Sequence, residues 1–79
     1  LEDSDMDKKI KYFEVCFSSG YSMIIKALRE PTLDEAAAFV AEDMQKLRES
    51  EVILVEEWTR KDAEGAFDFS GESDWPIFQ

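Results

Sequence analysis

The chain has 79 residues, 44% of them apolar and 13% aromatic, with 19 Asp and Glu against 9 Lys and Arg, no His and a formal charge of −10. That fits one packed domain and excludes a purely solvating acidic tail. It also excludes an apolar membrane span of about 18 residues, His-dependent triads and most zinc sites. The single Cys16 makes no internal disulfide, which points to a reducing, cytoplasmic setting.

Residues 1–6 read as a disordered leader or an expression scar. Residues 7–79 then form a single domain with an acidic, aromatic tail over 71–79. Residues 10–18 alternate as a strand, with Phe13, Val15 and Phe17 on one face. Ser18-Ser19-Gly20 is a turn signal, and Gly20 supplies a positive φ. Residues 21–28 alternate again, so the two strands predict an antiparallel hairpin. Pro31 ends the second strand. Thr32-Leu33-Asp34-Glu35 fits a capping box and opens a helix predicted over about 32–48. Its stripe is Leu33, Ala36, Ala37, Val40, Met44 and Leu47, flanked by Phe39. Residues 51–59 form a third strand, whose unbroken apolar run from Val52 to Val55 suggests cover on both faces. Residues 66–70 read as a short fourth strand.

The fold class is therefore α+β: a small two-layer β-β-α-β-(β) domain, with one helix on a three- or four-stranded, mainly antiparallel sheet. The expected order is 2-1-3-4 with every pair antiparallel, placing the first and third strands at the centre.

No catalytic constellation emerges, so the chain is read as non-enzymatic. Cys16 lies mid-strand with no His to act as base, and reads as a structural thiol. Asp68, Ser70, Glu72 and Asp74 alternate like a calcium loop, but Ser73 stands where the glycine belongs and Gln79 where the glutamate belongs. No metal or cofactor is expected. Lys8, Lys9 and Lys11 form a small basic cluster in a strongly negative chain, which argues against direct nucleic-acid binding.

The informative features are acidity and excess apolar surface. Glu42, Asp43, Glu49, Glu56, Glu57, Asp68, Glu72 and Asp74 are the candidate partner-binding acids. They suit a protein partner with a basic surface, inhibited by a charge mimic of DNA, as a phage or mobile-element counter-defence protein would do. The alternative is a structural or homo-oligomerising module whose acidity serves only solubility. Both sheet faces carry large apolar residues: Phe13, Val15, Phe17, Met23, Ile25, Ile53 and Val55 toward the helix, and Tyr12, Cys16, Ile24, Leu28, Val52, Leu54 and Trp58 opposite. The second face needs a cover, supplied by the tail, a second copy or a partner. Tyr12, Trp58, Trp75 and Phe78 are the candidate apolar anchors. Trp75 and Phe78 are expected to dock either beside Trp58 or across a dimer interface.

Overall fold

Two amphipathic runs on either side of a glycine turn make the core hairpin. In the computed structural model, which describes residues 10–40 and 51–79, β1 (Lys11–Phe17) and β2 (Ser22–Ala27) pair antiparallel from Lys11–Ala27 to Cys16–Ser22. Gly20 takes φ 94°, a left-handed conformation that a side chain would disfavour. Ser18 ties this turn to the third strand: its N–H donates to the Glu51 carbonyl (2.8 Å), and its hydroxyl accepts from the Glu51 N–H (3.0 Å).

The capping box forms as the sequence predicts. The Thr32 hydroxyl accepts from the Glu35 N–H (3.1 Å), and the Glu35 carboxylate accepts from the Thr32 N–H (3.0 Å). Helix α1 is described over Leu33–Phe39. The predicted continuation to Arg48 lies outside the described residues. Ala36 and Val40 are buried and Phe39 is half-buried, whereas Leu33 is exposed. Thr32→Ala is expected to cost about 1 kcal/mol, the usual loss for an N-cap hydroxyl. Faster amide exchange at Glu35 checks it; unchanged exchange there would contradict the cap.

β3 (Val52–Trp58) pairs antiparallel with β1. The sheet order is β3-β1-β2-β4, where β4 is only Ile77–Phe78 and runs parallel to β2. The α+β class and the neighbours 2-1-3 agree with the sequence. The fourth strand does not: the one expected at 66–70 beside β3 is not formed, and the strand that completes the sheet is instead β4, on the far side of β2 and parallel to it. β1 and β2 are therefore central, and β3 is an edge. A register shift at Cys16/Phe17 sets Val52 opposite Phe17 and Leu54 opposite Cys16. Ile53 is thereby squeezed out of the ladder as a bulge. Val52 takes the helix-facing place expected for Ile53, and Ile53 and Leu54 are exposed.

Residues 60–66 also depart from expectation. Instead of leading into a strand at 66–70, they form a second helix, α2 (Arg60–Ala66), capped by the Thr59 hydroxyl accepting from the Asp62 N–H (3.2 Å). The domain thus has three layers. α1 lies on one face, over Phe13, Val15, Phe17, Ile25 and Ala27. On the other, Ala63 of α2, Phe67, Phe69 and Trp75 cover Tyr12, Ile24 and Trp58.

The tail splits between the layers. Trp75 joins the second face against Phe69 (ring centroids 5.1 Å apart). Phe78 does not join Trp58; it packs edge-on against Phe39 on the α1 face (5.5 Å, 86°). Residues 77 and 78 are neighbours on a strand, so their side chains necessarily point to opposite faces.

Candidate protein-interaction surface

The second face holds a charge network within its aromatic packing. Lys26 projects from β2 on this face, and its side chain is 6% exposed. Its ammonium meets the Glu72 carboxylate at 3.2 Å. The same carboxylate accepts from the Tyr12 hydroxyl (3.2 Å), and Arg60 donates both to the Tyr12 hydroxyl (3.1 Å) and to Glu72 (3.5 Å). Gly71 at φ 71° and a 3-10 turn over Glu72–Asp74 direct Glu72 inward. Burial pushes the Glu72 carboxyl up, but hydrogen bonding and charge from Lys26, with Tyr12 and Arg60 behind them, hold it below the usual carboxylate range. Burial first, then the Glu72 charge, pushes the Tyr12 phenol up. Two predicted partner-binding residues thereby move inside: Glu72 neutralises an internal cation, and Tyr12, 5% exposed, is core.

The other predicted residues stay nearer the surface. Glu56 and Glu57 are exposed on β3, and Asp68 and Asp74 on the loop before β4. The Ser70 N–H donates to Asp68 (2.9 Å), and this lowers the Asp68 carboxyl below its usual value. Glu42, Asp43 and Glu49 lie outside the described residues. Trp58 is half-buried, its ring edge-on to Phe67 (5.3 Å) and its indole N–H donating to Glu14 (3.2 Å). Trp75 and Phe78 are half-buried in intramolecular packing.

Cys16 is partly exposed on the second face. Burial, then the charge and hydrogen bond of Glu14, push its thiol up. Alkylation at neutral pH is therefore expected to be slower than for an unhindered cysteine, and to speed up on unfolding. Equal rates in the folded and urea-unfolded chain would contradict this environment.

A groove runs along the outer edge of β2. β4 pairs only with Lys26 and Ala27, so among the described residues the Ser22–Ile25 stretch forms an open floor. Phe39 and Val40 wall it on the α1 side, and Phe67, Trp75 and Pro76 on the other. Tyr21 and Asp68 complete the lining of a space of about 500 Å³. Its origin is visible in the chain: Trp75 lies on the second face, so the tail meets the sheet edge only from Pro76 onward. Pro76 has no N–H with which to extend the pairing upstream. Sequence reasoning missed this groove because it depends on where a two-residue strand stops.

The chain matches no known family model, no curated protein and no solved structure.

Proposed function

We propose that this is a non-catalytic, acidic interaction domain that binds a basic protein surface. Where that surface is a nucleic-acid-binding groove, the domain acts as an inhibitor by mimicking the charge of the nucleic acid. One observation carries the reading: Lys26, Arg29 and Arg60 are engaged in ion pairs with Glu72, Glu35 and Glu64, whereas Glu51, Glu56, Glu57, Asp62, Asp68 and Asp74 are exposed. Each pair sets one acid against one base and leaves the net charge of −10 unchanged, so among the described residues these exposed carboxylates outnumber the exposed, unengaged lysines Lys11 and Lys61.

The homo-oligomer alternative draws on the exposed Ile53 and Leu54 of edge strand β3. It must overcome the repulsion between two strongly acidic copies.

Affinity capture from a native-cell extract tests the proposal. The retained proteins should be basic and nucleic-acid-binding, and should be released both by added duplex DNA and by monovalent salt. Retention indifferent to both would overturn it. A dimer by sedimentation that persists at high salt would favour the alternative.

A further inference from the structure

We propose that the open edge of β2 receives an extended, Lys- or Arg-bearing segment of the partner protein as an added strand. The cationic chemistry of the occupant rests on the functional reading above; the place rests on the sheet.

Backbone parity defines the edge. The Phe17 N–H donates to the Tyr21 carbonyl (2.8 Å) across the β1–β2 turn. In an antiparallel ladder the residues that bond to one neighbour alternate. Met23, Ile25 and Ala27 therefore spend their N–H and C=O groups on β1, and Ser22, Ile24 and Lys26 direct theirs outward. The Leu28 N–H, of the same parity, donates outward to the Phe78 carbonyl (2.9 Å). β4 reaches Lys26 and stops. Among the described residues, no strand pairs with the outward side of Ser22 and Ile24. The Ile24 residue is nevertheless 8% exposed, so its polar backbone lies within an apolar recess. Unpaired backbone groups in such a place are a template for another strand.

The walls suit the alternating side chains of a strand. One set would meet Phe39 and Val40, and the other Phe67 and Trp75. Asp68 is among the residues lining the groove, and Asp74 is exposed nearby in the chain. This charge selects a cationic segment. It opposes a second copy of the chain, which would bring the same carboxylates to the same edge.

A library of random ten-residue peptides, panned against the full chain, tests the proposal. Selected peptides should alternate apolar residues with Lys or Arg. On binding, they should slow exchange of the Ile24 amide about tenfold or more and shift the Trp75 indole resonance. N-methylation of one alternate set of peptide amides, those facing the edge, should abolish binding, whereas methylation of the other set should not. Asp68→Asn retains an oxygen for the Ser70 N–H, and should weaken the peptide by about threefold, as expected for one surface charge. Ser22→Pro removes one outward N–H at the start of the strand, where proline is tolerated, and should weaken it further. Cationic binders that leave Ile24 exchange unchanged, or that tolerate N-methylation of both sets, would overturn the groove and its added strand and leave the acidic-domain reading standing. Neutral or acidic binders that protect Ile24 would overturn the occupant and the basic-partner reading together. A protein already dimeric, with Ile24 protected before any peptide is added, would assign the edge to a second copy and overturn the proposal. The library and Asp68→Asn decide the matter even if Ser22→Pro does not fold.

Discussion

A chain ending at Asp74 should melt about 20 °C or more below the full-length chain. Residues 75–79 contribute to both cores at once. Trp75 packs on Phe69 on the second face, and Phe78 packs on Phe39 on the α1 face. The segment also carries β4, receives the Leu28 N–H at the Phe78 carbonyl and accepts from Arg29 at the Gln79 carbonyl (3.2 Å). The Arg29 guanidinium lies 4.7 Å from the centre of the Phe78 ring. Burying Trp75, Ile77 and Phe78 contributes roughly 5 kcal/mol in transfer terms after allowing for their partial exposure. A domain of this size has a total stability of about 4–12 kcal/mol. Truncation therefore removes a large share of the total, and far-UV circular dichroism during a thermal melt reads it directly. A cooperative transition at the full-length temperature would show that the tail is not docked. The single variants Trp75→Ala and Phe78→Ala should each cost about 2–3 kcal/mol. Because they lie on opposite faces of the sheet, their costs should add to within about 0.5 kcal/mol.

That the tail docks was legible from its composition; which face each aromatic takes was not. Phe67, Phe69, Trp75, Ile77 and Phe78 are too apolar to remain solvated, but the crossing from one face to the other depends on a two-residue parallel pairing that no local pattern announces. The hairpin and the capping box were legible because each is set by neighbouring residues. Helix α2 left a weaker trace. Its apolar anchor is Ala63 alone, and Gly65 lowers its propensity. The readable signal was Thr59 placed three residues before Asp62, whose N–H its hydroxyl accepts. The bulge at Ile53 has no local marker, since Val52, Ile53, Leu54 and Val55 are interchangeable as strand formers. Its consequence is large nonetheless, because it turns an expected core residue outward. Lys26 and Glu72 were each visible as charges, one interrupting an apolar face and the other in an acidic tail. Their separation of 46 positions hid the fact that they answer one another.

That pair yields the other large effect. Glu72→Gln should destabilise the domain by about 2–4 kcal/mol, because it leaves the Lys26 ammonium enclosed without its counter-charge. The upper end of the usual range is not expected, since the Glu72 side chain keeps 16% exposure and Arg60 is solvated. Replacing both charges, as Lys26→Met with Glu72→Leu, should restore stability to within about 1 kcal/mol of the parent, because apolar contact then substitutes for two desolvated ions. Arg60 would keep the Tyr12 hydroxyl as a partner. Acid titration separates this electrostatic role from simple packing. The Glu72 carboxyl is lowered in the folded chain, so its contribution is fully present above the unfolded carboxylate value of about 4.3 and is lost as pH falls through the lower folded value. Glu35, hydrogen-bonded first by Arg29 and then by the Thr32 N–H, is held at about 2 and extends the loss to still lower pH. The parent chain should therefore lose stability steadily below about pH 5. In the double variant the Glu72 share of that loss disappears, leaving a shallower slope that Glu35 still sustains. Denaturant midpoints measured at successive pH values give both slopes. If they coincide, Glu72 titrates alike in the folded and unfolded chain, and the network holds Lys26 in place without stabilising the fold.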